Sequence, residues 1–302
     1  MHNRPLIFIG DIHGQHRKLA RLLTVLKARV PEASYLFIGD LIDNKASPDL
    51  SQLAVLEQVK ALVDEGRARC LMGNHELNAI GWTLRDPESG AALRPHTANN
   101  AKQHGAFLAE VGEGSAEHLK WVAWFRTLPL FADFGDVRAV HACWDARAIA
   151  ALRPYLTQDN VLQASYWAQA FDPTSVPGAA LETLLKGPEL RLPDGFSFTD
   201  KTGHRRRHIR VRWWRDDAVS YRQLAQVPPA AEESIPDLPL AAELRFPAPP
   251  GPVVIGHYTL HGTPQRLAEN VICVDYNAAK GDFPLVAWCW RAGEGYFIRS
   301  DE

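Results

Sequence analysis

Apolar and polar positions along this chain switch between two periods, and the switches mark where elements begin and end. Residues 6–10 are a short apolar run that stops at Gly10-Asp11, after which Leu19, Leu22, Leu23 and Leu26 recur at helical spacing. A strand, a loop and a helix are expected there. The pattern repeats twice: residues 35–38 end at Gly39-Asp40 before the stripe Leu53, Leu56, Val59 and Val63, and residues 69–72 end at Gly73-Asn74 before another expected helix. Three successive strand–loop units predict an α/β sheet with crossover helices. In such sheets ligands gather beyond the carboxyl ends of the strands. Farther on, residues 117–128 read as an amphipathic helix and residues 130–141 as a hairpin turning at Gly135-Asp136.

The second half is less regular. Residues 146–225 hold helical pieces, such as 160–171, and a basic run over 204–215, and they read as a cap. Residues 226–252 contain eight prolines and little periodicity, which predicts an extended connector more than a packed element. Apolar strands resume at 253–255, 271–274, 285–290 and 296–298. The sheet core is therefore expected in two pieces, residues 1–145 and 252–302, with residues 146–251 inserted between them.

Composition narrows the class. The chain has 302 residues, 46% of them hydrophobic, enough to fill a substantial core. Its 33 basic and 35 acidic side chains nearly cancel, so no overall field draws it to nucleic acid or an anionic membrane, and affinity for phosphate must come from a local site. Cys70, Cys143, Cys273 and Cys289 are scattered without zinc-type spacing and read as reduced core residues. No apolar run approaches the roughly 20 residues that span a bilayer. The start, Met1 to Pro5 and on to charged Asp11 and His13, is too polar for a signal peptide, and a cytoplasmic location is expected.

The chemistry sits at the strand ends. The motifs are Gly10-Asp11-Ile12-His13-Gly14, Gly39-Asp40-Leu41-Ile42-Asp43 and Gly73-Asn74-His75-Glu76, followed by Val140-His141-Ala142 and Gly256-His257-Tyr258. Alone, each is a common turn or a satisfied polar residue. Together, five strand ends offer carboxylates, imidazoles and an amide oxygen, a mixed set suited to manganese, iron, zinc or similar divalent ions. A carboxylate can bridge two cations, and ions about 3.5–4 Å apart can clamp the attacking and leaving oxygens of an in-line displacement. Water on such an ion becomes a hydroxide nucleophile near neutral pH, so no nucleophilic Ser or Cys is required. A histidine whose tautomer is fixed by a carboxylate can give the leaving group its proton.

These motifs resemble the calcineurin-like metallophosphoesterases, and within them the phosphoprotein phosphatase branch, over residues 6–76, 128–145 and 252–290. The resemblance implies a four-layer α-β-β-α sandwich with a largely helical cap, two divalent metal ions, and hydrolysis of phosphomonoesters or phosphoanhydrides by a metal-bound hydroxide. It implies that Asp11 and His13 hold one ion, that Asp40 bridges, and that Asn74, His141 and His257 hold the second. His75 would be the acid, oriented by Asp43. A turn role for Asp43 stays open, and Glu76 reads as a helix N-terminal acid or a support.

Two departures from the family pattern matter. The arginine that usually follows the second aspartate is replaced by Asn44-Lys45, so Lys45 or the run Arg205, Arg206, Arg207, Arg210 and Arg212 is expected to hold phosphate. As one strand, that run would put Arg206, His208, Arg210 and Arg212 on one face and Arg205 and Arg207 on the other; a solvated basic strand is the alternative. A second histidine two residues after His257 is replaced by Thr259, leaving His261 as a support or substrate contact. The segments Gly256-His257-Tyr258, Cys273-Val274-Asp275-Tyr276-Asn277 and Ala287-Trp288-Cys289-Trp290 also resemble bacterial symmetrical diadenosine tetraphosphatases. A phosphorylated small molecule, a nucleotide or a phosphoprotein is the expected substrate, with no membrane partner. A further alternative is a non-catalytic nucleic-acid-binding protein with a vestigial metal site, using the basic run with Trp213 and Trp214.

Overall fold

The computed structural model describes residues 4–200 and 203–302; the polar residues Met1 to Asn3 lie outside them. Strand β1 (Leu6–Ile9), helix α1 (His16–Arg29), β2 (Ser34–Phe37), α2 (Gln52–Asp64), β3 (Ala68–Cys70) and α3 (Asn74–Thr83) follow one another as the periodicity predicts. On α2 the buried face is Val55, Leu56, Val59 and Leu62, one residue round from the expected stripe. Helices α4 (Ala98–Val111) and α5 (Ala116–Phe125) come next, then the hairpin β4 (Phe131–Asp133) and β5 (Arg138–Val140). Helix α4 lies outside the elements that the sequence pattern predicts.

The insertion holds α6 (Ala146–Leu152), α7 (Trp167–Ala170) and α8 (Val176–Lys186), then β6 (Glu189–Arg191), β7 (Phe198–Thr199), β8 (Arg205–Arg206), β9 (His208–Val211), α9 (Tyr221–Leu224) and β10 (Ala225–Gln226). Of the expected helical piece over 160–171 only a short turn and α7 form. Strands β10, β9 and β6 make a small antiparallel sheet, and β7 and β8 a separate ribbon. The proline-rich stretch is more packed than its composition predicts: it folds into two 3-10 turns and buries Ile235 and Leu240. The chain ends in β11 (Val253–Ile255), β12 (Val271–Cys273), β13 (Val286–Arg291) and β14 (Glu294–Arg299).

Two larger sheets result, one ordered β14-β13-β1-β2-β3 and one β12-β11-β5-β4. Strands β1, β2 and β3 run parallel, as do β5, β11 and β12. Period-two alternation divides the strand residues between two cores. Ile7, Ile9, Tyr35, Phe37, Val253, Ile255, Val271 and Cys273 face the helices. Phe8, Leu36, Ile38, Leu71, Ala139, Val254, Ile272, Val274, Trp288 and Trp290 fill the space between the sheets. The central strands β1, β2, β11 and β12 are thus apolar on both faces, the signature of layers covered on each side. All four cysteines are free and buried, as expected. No helix among the described residues is long and apolar enough to cross a membrane.

Candidate functional site

The loops after β1, β2, β3, β5 and β11 meet at one end of the two sheets. Backbone hydrogen bonds lace them together: Ile12 and His13 N–H donate to Asp40 O, and Gly256 N–H donates to His141 O. Glu76 is the main tie. Its buried carboxylate accepts Asp40 N–H and Gly73 N–H on Oε2 and Leu41 N–H on Oε1, at 2.8–2.9 Å. The approach is so close that a Cβ on Gly39, which has φ +96°, would stand 2.4 Å from Gly73 N. Six of the eight non-glycine residues in the left-handed region among the described residues are His13, Asp40, Asp43, His257, Thr259 and Asn277. Such conformations cost roughly 1–3 kcal/mol each and persist only where the surroundings fix them.

Two groups of donor atoms, each within 4.8 Å of one another, share Asp40: His13, Asp40 and His75, and Asp40, His141 and His257. His13 donates Nδ1–H to Ile42 O and His141 donates Nδ1–H to Ile38 O, both at 2.8 Å. This leaves the Nε2 atoms aimed at Asp40 Oδ2, at 3.8 and 3.3 Å. An imidazole held at one nitrogen by a carbonyl turns the other towards the cluster, the usual orientation of a metal ligand. Asn74 Oδ1 lies 3.1 Å from His141 Nε2 and 2.8 Å from His257 Nδ1. Asp11 Oδ2 accepts His257 N–H, while Asp11 Oδ1 and His257 Nε2 are buried with no partner. Orphaned polar atoms of this kind are rare in a folded interior. The six residues expected to hold metal are therefore brought together, and the arrangement fits divalent cations.

The electrostatics point the same way. Burial, followed by the charges of Asp275 and Asp40, pushes the Asp11 carboxyl well above the usual range. Burial also acts on Asp40, but His141 and His75 outweigh it and hold that carboxyl well below the usual range. His141 is buried too, yet the Asp40 charge carries it up to about 10. His257, between His141 and Arg210, is held well below its ordinary value, first by burial and then by those charges. A pocket that gathers carboxylates out of water and over-stabilises protons on one imidazole calls for positive charge, which metal ions supply.

His75 faces this centre from the first turn of α3. Its backbone N–H donates to Asp40 Oδ1 at 3.0 Å and its Nε2 lies 3.8 Å from Asp40 Oδ2. Asp43 Oδ2 accepts its Nδ1–H at 2.9 Å, so Asp43 is an orienting partner more than a turn residue. Burial opposes it, but the Asp40 charge and the Asp43 hydrogen bond raise His75 to about 9. Asp43 also accepts a hydrogen bond from His104 on α4, which sequence reasoning missed. No local signal marks His104, because its partner lies 61 residues earlier.

Beside His257 opens a cavity of about 1230 Å³ lined by Arg205, Arg206, Arg207, His208, Arg210 and His261, with Tyr258, Thr259, Asn277 and Lys280. Of the residues expected to contact substrate, Arg210 and His261 line this cavity. Arg212 does not: past β9 it turns away and pairs with Glu232 at 3.3 Å. Lys45 is exposed and absent from the lining, since Asn44 before it is tethered to His13 O and Ala279 O. The two-face reading of the basic run also fails. The chain bends at Arg207 between β8 and β9, so Arg205 and Arg207 reach the cavity together with Arg206 and Arg210. Trp213 and Trp214 are buried, and Trp213 Nε1–H donates to Ala142 O at 3.0 Å. They support the His141 loop and leave no stacking platform for bases, which removes the basis of the nucleic-acid reading.

With this geometry in place, the chain belongs to the calcineurin-like phosphoesterase family, whose profile matches residues 4–225. It resembles the symmetrical bis(5'-nucleosyl)-tetraphosphatase of Janthinobacterium sp. (strain Marseille), 40% identical over 83 residues, 27% of this chain and 28% of that one. The enzyme of the same name from Ralstonia nicotianae is 39% identical over 72 residues, 24% of this chain and 23% of that one. The matches span about a quarter of the length of these relatives. Among solved structures, a cold-active protein-tyrosine phosphatase of a psychrophilic Shewanella species covers 99% of this chain and 78% of its own. Its TM-score of 0.50 at 17% identity is a likeness of fold.

Proposed function

We propose that the protein is a dinuclear metal-dependent hydrolase of phosphomonoesters or phosphoanhydrides. The observation that carries this reading is the aim of His13 and His141 Nε2 at the one carboxylate oxygen Asp40 Oδ2, with each ring tethered at Nδ1. Asp11 and His13 would hold one ion, Asn74, His141 and His257 the other, and Asp40 both. Bound ions would polarise the phosphoryl group and lower the pKa of water towards neutrality. The chain itself does the rest. His75 Nε2 presents a proton to the leaving oxygen, Asp43 fixes the ring, Glu76 fixes the loops, and Arg210 offers a charge-assisted fork to phosphate oxygens. Residues 1–145 and 252–302 would form the catalytic unit, with residues 146–251 as its cap. Manganese is a fitting ion for this N/O set. Four buried free thiols suit a cytoplasmic setting.

The test is metal content with turnover of p-nitrophenyl phosphate, before and after chelation. Up to two ions per chain and loss of turnover on chelation are expected, restored by manganese. Full activity in metal-free protein, or unchanged activity in Asp40→Asn, would refute the reading. Symmetrical dinucleoside tetraphosphatase activity is a second reading, favoured by the relatives' names and by a basic cavity large enough for more than one phosphate. A screen of dinucleoside polyphosphates against phosphopeptides separates the two substrate classes.

A further inference from the structure

Asp43 has both carboxylate oxygens occupied. Oδ2 accepts His75 Nδ1–H at 2.9 Å and Oδ1 accepts His104 Nδ1–H at 2.7 Å, and the side chains of Asp43 and His104 are 0% exposed. Because an ionised carboxylate only accepts, both rings must donate from Nδ1, whichever charge each carries. His104 comes from α4, whose position is set independently: Glu110 on the same helix accepts Gln52 N–H and Leu53 N–H at the start of α2. The His104 ring lies 5.1 Å from Phe107 and 5.7 Å from Trp82, centre to centre. Asp43 itself has φ +68°, a conformation that persists only where its surroundings fix it.

We infer that His104 is a positioning residue for proton delivery: through Asp43 it holds the His75 ring so that Nε2 faces the reacting centre. This rests on the hydrolase reading above. In the reaction, the oxygen of water bonds to phosphorus as the bond from phosphorus to the leaving oxygen breaks. The leaving oxygen takes the proton from His75 Nε2, and the proton shed by the attacking water restores the ring. Without His104, one lone-pair direction of Asp43 loses its anchor, the carboxylate rotates, and the ring it steers rotates with it. A purely structural histidine would affect folding and every substrate alike. A positioning histidine affects the step that needs the proton, and that step matters little when the leaving group departs unaided.

The experiment compares the manganese-loaded wild type with His104→Leu, which removes the donor, and His104→Asn, whose amide nitrogen stands where Nδ1 stood. Turnover is read on p-nitrophenyl phosphate and on an alkyl phosphate. His104→Leu should lower kcat on the alkyl ester about tenfold or more, up to at most the roughly 10²–10⁴ that general acid catalysis contributes. Its effect on p-nitrophenyl phosphate should stay within about threefold, a nearly proton-independent departure, with KM unchanged on both. His104→Asn should recover most of the loss. If His104→Leu does not fold, His104→Gln, which keeps volume and polarity but displaces the donor, should show the same selective loss. In a His75→Asn background, replacing His104 should cost nothing more on the alkyl ester. Equal losses on both esters, no loss on either, or an additive loss in the His75→Asn background overturns the inference. An inactive manganese-loaded wild type would instead overturn the hydrolase reading, and the inference with it.

Discussion

Replacing Glu76 by glutamine is a sensitive perturbation of the site that leaves every residue expected to contact metal or substrate in the sequence. The carboxylate is 0% exposed and accepts three backbone N–H groups, two on Oε2 and one on Oε1. An amide keeps one oxygen. If that oxygen retains Asp40 N–H and Gly73 N–H, the new NH₂ group faces Leu41 N–H, donor against donor. One buried unsatisfied donor costs about 1–3 kcal/mol. For a chain of this size that corresponds to a fall in Tm of about 2–5 °C. Glu76→Ala leaves all three donors without a partner, for an upper bound of about 3–9 kcal/mol. The bound is lowered because burial, followed by the Asp40 charge, already raises the carboxyl above its usual range, so its removal relieves a desolvation cost. Turnover should fall further than stability, since Asp40 and Asn74 both ride on the loops that Glu76 ties. Calorimetry, metal content and p-nitrophenyl phosphate turnover on the same preparations make the comparison. A Glu76→Ala protein melting within about 1 °C of wild type, against the shift expected for three lost bonds, with full metal and full kcat, would refute the reasoning.

Other outcomes follow from single distances or charges. Gly256→Ala places a Cβ 2.1 Å from Asp11 Oδ1, so Asp11 must move; metal content by mass spectrometry should drop while the circular dichroism spectrum stays near wild type. Asp43 is brought down to about 2, burial being outweighed by hydrogen bonds from His104 and His75, against about 3.9 unfolded. Its folded pKa is depressed, so about 2 kcal/mol of stability is present above pH 4 and lost as pH falls through 2. In metal-stripped protein, urea unfolding should therefore show the wild-type advantage over Asp43→Asn shrinking by that amount between pH 5 and 2, and a constant gap would count against it. Arg210→Ala should lower kcat/KM about tenfold, the scale of a charge-assisted hydrogen bond, whereas Arg212→Ala, which breaks only the partly exposed Glu232 pair, should change it little. Equal effects of the two would mean that the cavity wall does not meet substrate.

The parts of this protein legible before folding are those whose signal is local. Short apolar runs closing on glycine gave the strand ends, helical spacing gave α1 and α2, and the side chains at the strand ends were readable because loop residues there must converge when the strands pair. The rest depends on contacts between segments far apart in the chain. His104 looks like any buried helix histidine until α4 is laid against the loop that carries Asp43. Glu76 reads as a helix-start acid until three backbone donors, two of them from the β2 loop, are seen on it. The basic run reads as one alternating strand, but a bend at Arg207 and a pairing of Arg212 with Glu232 redistribute its charges. Neither is encoded in a period of two. Trp213 could have been a stacking ring or a core residue; the Ala142 carbonyl waiting 3.0 Å from its N–H decides for the core. A periodicity reports which face a side chain leaves from, whereas its partner is fixed only when the chain folds back on itself.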